Sequence, residues 1–205
     1  GRLALFTGLY VCEGLPQGFA TVAVTLELKR MGLDALALAA FSSTIMAPWA
    51  SKWVAGPILD NLHLPGFGRR KQWIVLCQAL LVGALLVAMF AFPSRAEGGE
   101  VARLGLFTLL MTLTNACSAC QDVAIDALAV QTLEESEKGL ANGLMFAGAM
   151  SGIAVGGSGV LFLKGVVGFP IASLLVPACV AAILVATVTG MKEPLTAAPG
   201  GGLDR

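Results

Sequence analysis

Charge is scarce in this chain. Only 13% of its 205 residues are Asp, Glu, Lys or Arg, against about 25% in average soluble proteins. The few charges cancel, 13 basic against 13 acidic. With no basic excess, nothing points to a nucleic-acid partner. Histidine is almost missing, and His63 alone cannot build a metal cluster. There is no G-x-G-x-x-G, no phosphate-binding loop and no H-E-x-x-H, so no soluble-enzyme signature and no cofactor is expected. A removable signal peptide is not expected either. The first apolar run, from about Leu3 to Leu26, is too long for a signal core and has no small-residue cleavage site after it.

What is present is apolar surface: 57% of residues are hydrophobic and mean hydropathy is +0.82. It comes in long runs. Lys71 and Arg95 bracket 23 uncharged residues, Lys138 and Lys164 bracket 25, and Lys164 and Lys192 bracket 27. A helix needs roughly 20 apolar residues to cross a bilayer. The chain therefore reads as an all-α polytopic membrane protein.

The runs predict six transmembrane helices. These are Leu3–Leu26, interrupted by Glu13-Gly-Leu-Pro-Gln-Gly18, then Leu33–Leu59, Gln72–Phe92, Val101–Val130, Gly139–Leu163 and Phe169–Met191. The first and fourth carry polar interruptions, while the third and sixth are almost purely apolar. That is the pattern of a three-plus-three repeat. Residues 1–192 form the bundle, and the Pro/Gly/Ala-rich stretch 193–205 reads as a flexible tail or linker to a further domain. Basic residues set the orientation. One side collects Arg2, Lys52, Arg69, Arg70, Lys71, Lys138, Lys192 and Arg205; the other collects Lys29, Arg30, Arg95, Arg103 and Lys164. Both termini are accordingly expected in the cytoplasm.

Against this background the buried charges stand out. Glu13 lies about 15 Å deep on the first helix, Asp122 about 12 Å and Asp126 about 6 Å deep on the fourth. A charge at the bilayer centre costs at least ~2.5 kcal/mol, so such groups should face inward and pair. Spacing i, i+4 puts Asp122 and Asp126 on one face, with Gln121 beside them. Lys52, eight residues before Asp60, is the one cation at that depth, so a pair with Asp122 or Asp126 is expected. Glu13 is left without an evident cation and is the candidate to carry a proton. Two readings stay open: an ion pair that only fixes helix packing, and a proton or substrate pathway.

Other features are weaker. Gly148, Gly152 and Gly156 repeat every fourth residue, as on a close-packing helix face. Pro16 should bend the first helix. Trp49, Trp53 and Trp73 read as interface belt. Cys117-Ser-Ala-Cys120 has redox spacing but no thioredoxin-like setting, so the five cysteines read as small packing residues.

Three motifs in order carry a resemblance. Glu13-Gly-Leu-Pro16 lies in the first helix. Lys52, Pro57, Asp60 and then Phe67-Gly-Arg-Arg-Lys-Gln-Trp73 surround the second loop. Gln121-Asp-Val-Ala-Ile-Asp126 lies in the fourth helix. Together they resemble the AmpG-type muropeptide permeases and acetyl-CoA transporters of the major facilitator superfamily. Glu13 departs from that pattern, and Asn61 replaces the usual cation after Asp60.

The resemblance implies the N-terminal half of a twelve-helix fold. The other half would be supplied by the same gene or by a homodimer. It implies proton-driven import of muropeptide or a related anionic or sugar-containing solute across a bacterial inner membrane. Glu13, Gln17, Lys52, Gln121, Asp122 and Asp126 would line the proton and substrate pathway. Gly56, Asp60, Gly68, Arg69 and Arg70 would form the gating motif of loop 2–3. Asp60 would meet a helix of the missing half. No antiporter proline follows the glycines of the fifth helix, which leans towards symport. Two alternatives are an acyl-CoA carrier and a non-transporting assembly or delivery factor on the same fold. An intramembrane aspartyl protease is disfavoured, because Asp122 and Asp126 share one helix.

Overall fold

In the computed structural model, residues 2–62, 68–93 and 100–191 are described, with side chains from 103 onward in the last stretch. His63, Phe67, Lys192 and the tail 193–205 lie outside them. Every described element is helical. The segments join end to end into rods. α1 runs Arg2–Gly18, passes through a π-turn at Phe19–Val24 and ends with Thr25–Arg30. α2 comprises Ala35–Ala50, a 3₁₀ turn at Lys52–Val54 and Ala55–Asn61. α3 is Lys71–Phe90 and α4 is Glu100–Thr132. α5 is Glu135–Ala154, a π-turn at Val155–Gly159 and Val160–Val167. α6 is Phe169–Ser173 followed by Leu175–Gly190. Four stretches are long and apolar enough to cross a membrane: Lys71–Phe90, Arg103–Thr132, Glu135–Val167 and Phe169–Gly190.

Several boundaries differ from expectation for local reasons. The stretch around Glu13 does not interrupt α1. The α-helix continues past Pro16, and the π-turn follows it. Proline removes one backbone hydrogen bond, and a local π adjustment re-satisfies the freed groups. α2 is not continuous. Pro48 lies inside its first segment, and the Ser51 hydroxyl donates back to Pro48 O (3.2 Å). The chain then tightens into the 3₁₀ turn that carries Lys52. α5 starts at Glu135, four residues before the expected Gly139, because the Glu134 N–H donates to Glu137 Oε2 (3.3 Å) and caps the first turn.

α1 packs most intimately against α5, and glycine is the reason. A Cβ on Gly152 would meet Leu15 N at 2.9 Å and Gly14 C at 3.0 Å. One on Gly148 or Gly156 would strike the carbonyls of Thr7 or Leu15, and one on Gly14 or Gly18 would strike the backbone of Ala149 or Ile153. Helices in lipid gain little from burying apolar surface against each other, so backbone-to-backbone packing of this kind drives association. The two π-turns also meet, with Gly157 set against Val22. α3 lies on α4 and α6, and α2 lies along α4.

The core divides into two apolar layers. One holds Phe19, Phe41, Phe107 and Phe169 with Leu81 and Leu85. The other holds Phe6, Leu9, Leu59, Ile74, Ile125 and Leu128. All five cysteines are free thiols; Cys12, Cys77 and Cys117 are buried in the first layer. The seam between the layers is polar.

The α1–α5 contact gives a direct test. Gly152→Ala should destabilise the protein by about 1–3 kcal/mol through overpacking. Gly143→Ala, on the same helix with nothing within 4 Å of its would-be Cβ, should be neutral or stabilising by up to about 1 kcal/mol. Thermal unfolding of both variants in detergent reads the difference, and equal effects would remove the packing argument.

Candidate functional site

Lys52 and Asp122 meet in the polar seam. Lys52 Nζ lies 2.6 Å from Asp122 Oδ2. The pair is asymmetric: the Asp122 side chain is 6% exposed and that of Lys52 is 43% exposed. The lysine bridges a buried anion to an open face. Its ammonium also lies 5.8 Å from the centre of the Trp49 ring, within cation–π range. Trp49 in turn donates its indole N–H to Asn115 Oδ1 (3.1 Å), and Asn115 donates to Met111 O (2.9 Å). α4 thus anchors the turn of α2 that presents Lys52.

Asp126 is one turn further along α4 and is exposed. It accepts a hydrogen bond from the Tyr10 hydroxyl at 2.5 Å. The sequence left open which aspartate Lys52 would choose, and the structure selects Asp122. Glu13 is 6% exposed, and its Oε2 has no hydrogen-bond partner among the described residues. Its carboxyl faces that of Asp122, within electrostatic reach of Asp126 and Lys52. Gln121 is fully buried beside Asp122, and neither of its amide atoms has a hydrogen-bond partner among the described residues. Gln17 is half-buried one turn beyond Glu13, and its main-chain oxygen accepts from Thr21 (2.7 Å).

Two buried carboxyls, Glu13 and Asp122, and the exposed Asp126 therefore lie near one ammonium, which contacts Asp122 alone. The charge balance is incomplete, and a proton or a bound cation would complete it. Sequence reasoning missed Tyr10, Trp49, Asn115 and Gln78. Tyr10 is the chain's one tyrosine and stands three residues before Glu13, on the same helix face. Gln78 is a polar residue in the middle of a charge-free run. Both signals were present in the sequence.

The loop 2–3 motif forms a separate cluster. Arg70 Nη2 lies 2.7 Å from Asp60 Oδ1, and Arg69 donates to the Asp60 main-chain oxygen. Gln72 Nε2 and Trp73 Nε1 both donate to Leu62 O at 3.1 Å. Lys71 donates to Val188 O (2.9 Å) and Met191 O (2.6 Å), at the C-terminal end of α6. Asp60 thus has a partner within this chain, Arg70 at the start of α3, and its side chain stays 53% exposed. Gly68 is buried, and its oxygen accepts from Gln72 N (3.1 Å). Gly56 is half-buried, with open space where a Cβ would go. The tryptophans also differ from a simple belt. Trp49 donates its N–H to Asn115 on α4 and Trp73 donates to Leu62 O at the end of α2, while Trp53 is broadly exposed.

Membrane-length apolar helices around a buried ion network define an integral membrane protein. Its family follows from comparison. The family described as "Acetyl-coenzyme A transporter 1" matches residues 2–164, and the chain belongs to it. "Putative transporter AmpG 4" of Rickettsia felis is 27% identical over 163 residues, 78% of this chain and 37% of that protein. "Anhydromuropeptide permease" of Escherichia coli K12 is 27% identical over 183 residues, 86% of this chain and 34% of the permease. A fission-yeast protein, "Uncharacterized protein C21B10.09" of Schizosaccharomyces pombe, is 26% identical over 148 residues, 70% of this chain and 27% of its own length. The chain spans about a third of the length of the two bacterial relatives. The resemblance read from the motifs is thereby shown.

The Lys52–Asp122 pair can be weighed by a double-mutant cycle. Lys52→Ala strands a buried carboxylate and should destabilise the protein. Asp122→Asn in the same background should recover part of the loss. The coupling should be about 1–2 kcal/mol, below that of a fully buried pair because Lys52 is nearly half exposed. Additive single effects in unfolding measurements would mean the pair contributes nothing.

Proposed function

We propose that this chain is the pathway-bearing half of a proton-coupled solute importer that works by alternating access. The observation that carries the proposal is the buried Asp122 holding a half-exposed Lys52, with the buried Glu13 carboxyl facing it, one oxygen of which has no partner among the described residues. Ionisable groups kept inside membrane helices mark ion and substrate paths. The charge arithmetic supplies a mechanism. While Asp122 is ionised it occupies the Lys52 ammonium. A proton delivered through Glu13 to Asp122 neutralises the carboxylate and frees Lys52 for an anionic solute. Proton and anion then load together, which is symport.

The solute class follows from Lys52, a cation that suits a carboxylate or phosphate. Muropeptides carry carboxylates on a sugar frame, and relatives bear permease names of that kind. A second reading, an acyl-CoA carrier, is favoured by the family description. Both solutes are anionic and sugar-bearing. In this proposal six helices in two repeats of three sit in a bacterial inner membrane with both termini cytoplasmic. A second six-helix half faces the exposed side of Lys52 and Asp126, supplied by the same polypeptide or by a second copy. The assembly-factor reading predicts no solute flux at all.

Uptake into energised vesicles tests this. Asp122→Asn and Glu13→Gln should each reduce accumulation against a gradient to the level of empty vesicles while solute exchange continues. Wild-type accumulation persisting in both variants would sink the mechanism. Labelled muropeptide and acyl-CoA, compared side by side, separate the two solute readings.

A further inference from the structure

Several buried polar side chains of this protein satisfy themselves. Thr114, Ser173 and Thr187 are almost fully buried, and each hydroxyl donates to a carbonyl of its own helix. One group of buried polar side chains does not. Gln121 on α4 and Gln78 on α3 are both 0% exposed. Among the described residues neither Gln121 Oε1 nor Gln121 Nε2 has a hydrogen-bond partner, and Gln78 Oε1 has none. Gln78 has a single contact, Nε2 to Cys12 Sγ at 3.6 Å. Ser118, one turn before Gln121 on the same helix, is 1% exposed with an unpartnered hydroxyl.

Cys12 joins these groups. Its thiol contacts the Gln78 amide and lies within reach of Gln121. It is also the residue before Glu13, whose own Oε2 is buried and unpartnered. Stranded buried amides are rare in native proteins, and an unseen water or ion is the usual resolution. A site for buried water needs two to four polar partners. Gln78, Gln121 and the Cys12 thiol meet that requirement.

We propose that Gln78, Gln121 and Cys12 enclose an internal water site between α1, α3 and α4, which hydrates Glu13 from the side away from the open face. The site gives Glu13 a proton-exchange partner that persists when the solute pathway is closed. Hydration of Glu13 deepens the proton-coupled reading above and rests on it for its purpose. The presence of water does not depend on transport, so the two can fail separately.

Hydroxyl-radical footprinting of the purified full chain, with radicals generated from water by X-rays, tests the site. Bound water produces radicals where it sits, and sulfur reacts readily. Cys12 and Met111 are both 0% exposed sulfur residues, and Met111 lies in the apolar layer. The comparison that counts is Cys12 with itself, Met111 serving only to normalise the radical dose. Cys12 should be oxidised several-fold more slowly in Gln78→Leu with Gln121→Leu than in the wild type, because the variant removes the polar groups that hold the water. An unchanged Cys12 rate in the double variant would overturn the site. Thermal stability gives an independent reading. Gln121→Leu should lower the melting temperature or leave it unchanged if water satisfies the amide. A rise would mean the amide was stranded in a dry core, and would also overturn the site. Loss of coupling in Glu13→Gln with an unchanged Cys12 rate in the double variant would leave the transport reading standing and remove only the water.

Discussion

The contact between α1 and α5 is the constraint on which the rest of the site depends. Backbone meets backbone through Gly14, Gly18, Gly148, Gly152 and Gly156, so α1 has no freedom to rotate or slide. One face of α1 is fixed against α5. The flanking face then carries Tyr10, Glu13 and Cys12 towards α3 and α4. A single added methyl at the glycine face would push α1 away and withdraw all three groups together. The packing residues and the chemical residues alternate along one turn of helix, and neither set makes sense without the other.

The seam between the two apolar layers explains why the charges are tolerated. Asp122 is almost fully enclosed, and isolating it there would be costly. Lys52 meets that cost from outside, because the 3₁₀ turn after Ser51 lets a side chain on α2 reach α4 while remaining partly open. An uninterrupted α-helix would carry Lys52 through a different angle. Mid-helix 3₁₀ turns often mark hinges, and here the turn sits at the residue whose partner changes during the proposed cycle.

Much of this was legible from residue spacing, and the failures have physical causes. Depth along each helix is enough to match Lys52 with the aspartates of α4, because rise per residue is nearly constant. It cannot choose between Asp122 and Asp126, which share a face four residues apart. The choice depends on what else reaches Asp126, and Tyr10 comes from a distant part of the chain. The glycine repeat of α5 announces a close contact but not its partner; Gly14 and Gly18, on either side of Pro16, are the other half of that contact. Pro16 suggests a bend, yet the π-turn after it absorbs the lost hydrogen bond and the rod continues. For Asp60 the motif pointed to a distant partner, and spacing alone did not reveal the nearer one, Arg70, ten residues on.

The loop cluster and the membrane site are connected through α3. Asp60 and Arg70 tie the end of α2 to the start of α3, and Lys71 then holds the last carbonyls of α6. A cation at a helix C-terminus answers both the orphan carbonyls and the dipole. The same α3 carries Gln78 two turns further in, beside Cys12 and the carboxyl network. Any movement of α2 relative to α3 must therefore either break the Asp60–Arg70 pair or carry α3 with it. If α3 moves, the amide of Gln78 moves relative to α1, and the surroundings of Glu13 change. The loop cluster and the buried carboxyls are in this way joined through one helix, α3, which carries Arg70 and Lys71 at one end and Gln78 two turns on.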